Sequence, residues 1–484
     1  MKKISFLVLI AMILSLNGCG SSPTIVSESN ETVTQEVELS TEEESTNETL
    51  EEDTLATDVL IINSEEESTT STTDEENSTI ENPKPESINV GFGGACAFPF
   101  TSKDEEELIW VSAKDLVLDE AIASNDYYAE IKVYDPDAFS TLQSYLKKSK
   151  YVVFWITKGW EESWFNLDEI QTLIDSGYTP VFNYWYFGDT LLNGLPDDDA
   201  KEAYNSDAKR VSDMLASLSG EVLLVLEPEF NKESIVKDEE TQHLFANILQ
   251  GVVDIFKTNN SNLLLGLSMM DTGKRNVNEV ENCGYEQCAL GDKEAWEKPE
   301  IVYEDLLESL DFVAFNQMLA SFSRDYENPG DWDNPNPRNY SDEELGIDYF
   351  ADRMVNFSTF LNEKYHKLVF MPYMAIATAT WSDEDEDGEI DENEVSKSGW
   401  VDRAESVYRT MRDKRESLKD AGLFGYATMA LFDDPRHDYG GYQYFMNNEY
   451  HLGIVETGAQ DEVDSAAYGD LTFKGEILSL LFGE

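Results

Sequence analysis

Eight apolar runs of strand length recur along the chain: INVGFGG (88–94), YVVFWIT (151–157), YTPVFNYWYF (178–187), EVLLVLEPEF (221–230), NLLLGLSMM (262–270), DFVAFNQM (311–318), KLVFMPYM (367–374) and FGYATMALF (424–432). Most are apolar almost throughout rather than alternating, the mark of strands buried on both faces. Amphipathic stretches separate several of them: NLDEIQTLIDSG (166–177), DAKRVSDMLASLSG (207–220), ETQHLFANILQGVVDIFKT (240–258) and WVDRAESVYRTMRDKRESLKDAG (400–422). In the first, Asp168 stands near the start and Gly177 at the stop, as helix ends require. Strands alternating with helices predict a parallel sheet covered on both faces, and eight of them predict a (β/α)8 TIM barrel. A doubly wound open sheet is the runner-up. The chain carries neither GxGxxG nor GxxxxGK[ST], and GFGGAC lacks the spacing.

The pattern is different before residue 88. MKKISFLVLIAMILSLNGC has two lysines followed by a short apolar core, Ile4 to Leu16, as in a secretory signal. That core is shorter than the roughly 20 residues that span a bilayer. Leu16-Asn17-Gly18-Cys19 resembles a bacterial lipobox, although Asn17 is unusual at its position. The resemblance implies removal of residues 1–18 and lipid on Cys19, so that the mature chain is extracytoplasmic and membrane-anchored. Residues 19–87 are Ser, Thr, Glu, Asn and Asp almost without aromatics. Such a segment buries too little apolar surface to offset its ordering entropy, and the expectation is a disordered acidic tether. The barrel domain is placed at 88–484.

The formal net charge is -64, which argues against nucleic acid and other polyanions as partners. Of the four cysteines, Cys283 and Cys288 in CGYEQC are close enough for a small loop disulfide in an oxidising compartment, and Cys96 is left over, with a bridge to either of them open. His243, His366, His437 and His451 show no metal-ligand spacing, and no Ser-His-Asp or Cys-His arrangement stands out. A monomer with no organic cofactor is expected.

The chemistry concentrates at EVLLVLEPEFNK, Glu221 to Lys232. In a barrel, alternate strand residues point inward and active sites lie at the carboxyl-end mouth. Strict alternation would aim Glu227 and Glu229 into that mouth together. Burial and mutual repulsion would then raise one pKa and supply a general acid. A rim ion pair or a cation site is the plainer alternative. Asp271, after the fifth strand, and Asp433 and Asp434, after the eighth, are the candidate opposing bases. Trp155, Trp160, Trp164, Tyr184, Trp185, Tyr186 and Phe187 cluster at two strand ends, with Tyr373 and Trp381 from the seventh strand. Aromatic faces at a barrel mouth suit sugar rings, while packing in the core is the commoner fate of any one of them.

PEFN (228–231), LDFVAFNQM (310–318) and SGYTPVFNYWYFGD (176–189) resemble, respectively, the fourth, sixth and third strands of glycoside hydrolase family 26, the β-mannanase-like members of clan A. The resemblance implies a (β/α)8 hydrolase of the endo-β-glycanase type acting on neutral, β-linked carbohydrate. It makes Glu229 the acid/base, sets Asn231 nearby, and has Asn316 or Gln317 touching sugar. The family's nucleophile is a glutamate that ends the seventh strand. Here that strand reads KLVFMPYMAIATATW, with no acid before Asp383. Retaining hydrolysis needs two carboxyls about 5–5.5 Å apart, inverting hydrolysis about 6.5–9.5 Å. The Glu-x-Glu ending also resembles the Asp-x-Glu of family 18 chitinase-like barrels, which implies substrate-assisted hydrolysis of N-acetyl sugars. A glycan-binding surface protein on an inactive barrel is the alternative of another class.

DEDEDGEIDENE, Asp383 to Glu394, matches the EF-hand calcium loop. Asp383, Asp385 and Asp387 fall at ligand positions one, three and five, and Gly388 at the turn. Glu389 offers its carbonyl, Asp391 sits at position nine, and Glu394 supplies the bidentate carboxylate. A strand precedes the loop and no second loop pairs with it, so the expectation is a structural Ca²⁺ rather than a sensor.

Overall fold

The structure is a computed structural model. It describes residues 82–93, 97–101, 108–112, 136–162, 165–271, 292–319, 347–381, 395–396, 399–433, 451–457 and 471–483. The strands, in chain order, are β1 (Asn89–Phe92), β2 (Ala97–Thr101), β3 (Leu108–Ser112), β4 (Tyr151–Thr157), β5 (Thr179–Trp185), β6 (Val222–Leu226), β7 (Leu263–Met270), β8 (Phe312–Leu319), β9 (Val369–Ile376), β10 (Thr380–Trp381), β11 (Val395–Ser396), β12 (Leu423–Thr428), β13 (Ala430–Phe432), β14 (Gly453–Thr457) and β15 (Leu471–Phe473). The helices are α1 (Pro136–Leu146), α2 (Leu167–Asp175), α3 (Asp198–Leu215), α4 (Glu233–Val236), α5 (Glu239–Asn259), α6 (Asp292–Glu297), α7 (Glu300–Leu306), α8 (Ile347–Tyr365), α9 (Trp400–Asp413), α10 (Arg415–Asp420) and α11 (Ile477–Phe482).

Strands β1, β4, β5, β6, β7, β8, β9 and β12 close into one barrel, every neighbour pair parallel. This is the (β/α)8 TIM barrel. All eight coincide with the apolar runs of the sequence. The helix pattern was less complete. α3 begins at Asp198, well before residue 207, because its first turns bury only Tyr204 and are otherwise polar. Its start is fixed instead by Asp197, whose carboxylate accepts the Ala200 N–H at 2.8 Å. Asn166 caps α2 in the same way, accepting from the Glu169 N–H at 3.3 Å. Replacing such a cap by alanine costs about 1 kcal/mol.

The barrel interior is filled from below. Tyr151, Val153, Val181, Leu223, Val225, Phe312, Ala314, Phe370 and Ala427 form one buried cluster inside it. Its base is aromatic: the Phe370 ring stacks on Phe424 at 5.0 Å and meets Tyr151 edge-on at 5.0 Å. Glycine makes the room. A Cβ on Gly266 would lie 2.1 Å from the Phe312 ring, and one on Gly425 would lie 2.3 Å from the Tyr151 ring. The complementary set, including Phe182, Tyr184, Leu224, Leu226 and Leu265, packs outward against the helices.

One strand breaks the alternation. Between Ala314/Phe370 and Gln317/Met374, β9 advances one residue more than β8. Between Tyr426/Met371 and Thr428/Met374 it also gains one on β12. The bulge contains Pro372, which cannot donate to a ladder and is tolerated at such sites. Phe370 faces the barrel interior, and the Tyr373 hydroxyl reaches Glu229 at the mouth, so the bulge gives Tyr373 the next inward place after Phe370.

Two features lie outside the sequence reading. A sheet of β13, β14 and β15 follows the barrel's last strand, and β2 pairs with β3 as a separate hairpin. Residues 82–87, assigned above to the tether, run against the barrel's helices. The Asn362 amide donates to the Pro83 carbonyl at 3.0 Å, and Lys84 pairs with Asp420 at 3.0 Å. Among the described residues no helix is long and apolar enough to cross a membrane.

Candidate active site

The fourth barrel strand, β6, ends at Leu226, and the backbone then leaves the strand twice. Glu227 has φ 36° and Glu229 has φ 69°, both in the left-handed region that non-glycine residues rarely adopt. Strain of this kind, about 1–3 kcal/mol per residue, persists only where the surroundings fix it. The Glu227 N–H donates to the Tyr184 carbonyl at 2.8 Å, and the Glu227 carbonyl accepts from Phe230 at 3.0 Å. The two turns send the two carboxylates in different directions, so the shared inward face expected from strict alternation is not formed.

Glu227 is wholly buried on the helix side. Its carboxyl accepts from the backbone N–H groups of Tyr186 at 3.2 Å and Phe187 at 3.1 Å, with the Tyr204 hydroxyl beside it. Burial pushes it up to about 8, against the pull of these donors. It therefore clamps the chain after β5 to the end of β6 and is not placed to touch a substrate. Asp207, on α3, lies in the same network. It accepts from Tyr184 Oη at 2.8 Å, Trp160 Nε1 at 3.1 Å and Arg210 at 3.1 Å. Burial raises its pKa against those three donors.

Glu229 is different. Its side chain keeps 19% of its exposure, and one oxygen takes an ion pair from Lys232 at 3.0 Å. The other accepts the hydroxyl of Tyr373 from the bulged seventh strand. The Tyr373 ring lies 5.1 Å from Trp155, two residues before the end of β4, and Trp155 meets Trp185, which ends β5, edge-on at 6.0 Å. A continuous row, Trp185–Trp155–Tyr373–Glu229–Lys232, thus runs across the carboxyl end of the barrel. With both oxygens bound by donors, Glu229 presents itself as an acceptor. A carboxylate held in this way is suited to take a proton or to attack an electrophile.

The remaining sequence candidates divide sharply. Trp160, Tyr184 and Tyr186 are corrections: they pack behind the wall with Tyr204 and Asp207, because even-numbered residues of β5 face the helices. Gln317 also faces outward, donating to the Phe350 carbonyl of α8 at 3.3 Å. Asn231 clips the loop to β7, its amide pairing both ways with the Met270 backbone at 2.9 and 2.8 Å. Asn316 points into the barrel and is fully buried.

The proposed opposing bases are held elsewhere. Asp271 is buried and accepts from Arg353 and from Trp296 Nε1, each at 3.0 Å. Asp433 is buried against Lys474 at 2.6 Å, accepts the Gly453 N–H at 3.0 Å and has His451 at 3.6 Å. Both fasten elements around the mouth. Asp434, Trp164, Cys19, Cys96, Cys283, Cys288, His437 and the acidic loop Asp383–Glu394 lie outside the described residues, and Trp381 enters only through its backbone. That backbone matters to the loop: Thr380 and Trp381 pair antiparallel with Ser396 and Val395, bringing the loop's two ends together.

Trp155, already among the clustered aromatics of the sequence, and Lys232, which was not singled out there, complete the row. The signal for Lys232 was its position three residues after Glu229, and for Trp155 its parity with Val153. Tyr373 stood out by type, but only the bulge explains its direction.

No family model and no curated protein matches the chain. Among solved structures, it is similar to a hyperthermophilic β-glucosidase mutant that forms a dodecamer in the crystal. That match has 12% identity and TM-score 0.44, over 82% of this chain and 99% of that one. The family 1 β-glucosidase from Thermotoga maritima, in complex with isofagomine lactam, matches at 13% identity and TM-score 0.43, over 81% and 96%. Likeness at this level carries no argument about this chain's chemistry.

Proposed function

We propose that the barrel is a glycoside hydrolase acting on neutral, β-linked polysaccharide or oligosaccharide, with Glu229 as the proton-transfer group. The observation that carries this is the Glu229 carboxylate, partly exposed between Lys232 and Tyr373 and continuous with Trp155 and Trp185. Aromatic faces suit the C–H side of a sugar ring. A paired carboxylate at a barrel's carboxyl end suits proton transfer at a glycosidic oxygen. The test is product formation from mannan, mixed-linkage glucan, xylan and chitin oligomers. Hydrolysis abolished by Glu229→Gln supports the reading; no product from any of them defeats it.

A second reading is favoured by Tyr373. The seventh strand carries a phenol and no carboxylate, and Asp271 and Asp433 are engaged in ion pairs. The barrel is then a non-catalytic glycan-binding protein. Binding of the same oligomers without turnover distinguishes it.

The same proposal extends to the chain's setting. Lipid on Cys19 anchors it outside the cytoplasm, residues 19–81 hold the barrel off the membrane, and one Ca²⁺ organises Asp383, Asp385, Asp387, Glu389, Asp391 and Glu394. Labelled-lipid incorporation lost in Cys19→Ala tests the first of these.

A further inference from the structure

Directly above the apolar filling of the barrel lies a layer of a different kind. Asn183 follows Val181 on β5, Ser268 follows Gly266 on β7, and Asn316 follows Ala314 on β8, each two residues nearer the mouth. Asn183 is in register with Trp155, and Asn316 lies one step before the Gln317/Met374 pair, level with Tyr373. All three side chains are completely buried. Among the described residues none offers a hydrogen bond to either amide atom of Asn183, to either amide atom of Asn316, or to Ser268 Oγ.

Each buried polar group left unpaired costs about 1–3 kcal/mol. Isolated cases elsewhere, such as Ser358 on α8, sit singly on the helix side. Here five such atoms continue the inward faces of three barrel strands, on the side of the apolar filling toward the row that holds Glu229. Their chemistry is neutral and two-sided, two amides that both donate and accept and one hydroxyl that does the same. A carboxylate guest would need a cation, and Lys232 is committed to Glu229. A metal ion would need an anionic ligand, and the layer has none. The complement of such a floor is another set of hydroxyls.

We propose that Asn183, Ser268 and Asn316 form a hydroxyl-reading floor that takes adjacent free hydroxyl groups of the neutral sugar ring entering the mouth, and so determine specificity. This rests on the glycoside hydrolase reading and deepens it. Trp155 and Tyr373 supply the apolar side of the site, and the floor supplies the polar discrimination.

The experiment uses the full chain carrying Glu229→Gln, so that ligands bind without turnover. Calorimetric affinities are measured for cellobiose, β-1,4-mannobiose, xylobiose and N,N′-diacetylchitobiose. Monodeoxy analogues of the tightest binder are measured next. The same titrations are repeated after Asn183→Ala and after Asn316→Ala. The expected result is a neutral disaccharide as best ligand, with a ten- to hundredfold loss on removing one hydroxyl that shrinks to under threefold in one of the alanine variants. A variant that merely misfolds weakens all ligands together and leaves that ratio unchanged; Asn183→Ser then serves as the milder replacement. Binding with deoxy penalties untouched by every floor variant overturns this inference alone, the floor then serving only water. Preference for diacetylchitobiose also overturns it. Failure of every sugar to bind overturns both this inference and the hydrolase reading.

Discussion

The hydroxyl of Tyr373 donates to the carboxylate of Glu229, joining the seventh barrel strand to the end of the fourth across the mouth. The donor comes from a bulge and the acceptor from a strained turn. Neither position is free to shift without moving the other. A hydrogen bond to a charged group contributes about 1.5–3 kcal/mol. Tyr373→Phe is therefore expected to lower kcat roughly ten- to a hundredfold while KM changes little. Steady-state kinetics on the substrate found by screening check this; an unchanged kcat removes Tyr373 from the site.

The two faces of the wall give contrasting expectations for the tryptophans. Trp185→Ala should weaken sugar binding by about tenfold with little change in stability, because its ring edges the mouth beside Trp155. Trp160→Phe should leave affinity alone and lower stability by about 1–3 kcal/mol, because it strands the buried Asp207 without its Nε1–H donor. Urea midpoints and calorimetry on the pair decide it. The reverse pattern would put Trp160 back at the mouth.

Glu227 predicts a pH dependence of stability. Its folded value is about 8 against an ordinary 4.5, so between those values the folded chain holds a proton that the unfolded chain has lost. Stability from this group is greatest at low pH, falls as pH rises through that window, and levels off above about 8. The slope is at most about 1.4 kcal/mol per pH unit. Asp207, also raised by burial, adds in the same direction. Unfolding midpoints at pH 5, 6, 7 and 8 should fall for wild type relative to Glu227→Gln, whose neutral amide does not titrate, as pH rises. Parallel curves would contradict the assignment.

Removing one member of the buried Asp271–Arg353 pair should be severe. Arg353→Ala leaves Asp271 buried beside Trp296 without its counter-ion, a loss expected to reach about 3–5 kcal/mol. The double replacement Asp271→Leu with Arg353→Met should recover part of it. Equal loss in both would mean that packing, not charge, sets the cost.

Calcium should raise the melting temperature. At a hundredfold excess over Kd a single site adds about 2.7 kcal/mol. Chelator should reverse the gain, and Asp387→Ala with Glu394→Gln should abolish it. A melting temperature indifferent to calcium and chelator would dismiss the loop as an acidic turn.

The barrel was legible because apolar strands such as YVVFWIT and the five-residue core of EVLLVLEPEF cannot be exposed on either face. α8 was equally available, with Phe350, Met354, Phe357, Leu361 and Tyr365 at helical spacing, and went unread. The site was legible in residue type but not in direction. Period-two reasoning holds only while the strand lasts, and β6 stops at Leu226, one residue before the first glutamate. Tyr184 and Trp185 look alike in sequence, yet strand parity sends one to Asp207 and the other to the mouth. The polar floor was invisible for a simpler reason: Asn183 and Ser268 look like minor interruptions of apolar runs, and only the closed barrel shows that both face its interior.

The extra residue in β9 gives the mouth an unusual evolutionary lever. Simple pleating through these same residues, without the bulge, would turn the proline, not the phenol, toward the cavity, withdrawing Glu229's partner without any replacement of side chains. The local backbone of one wall, rather than its set of side chains, thus decides whether Glu229 has its partner, and the bulge is where related chains of differing chemistry should be compared.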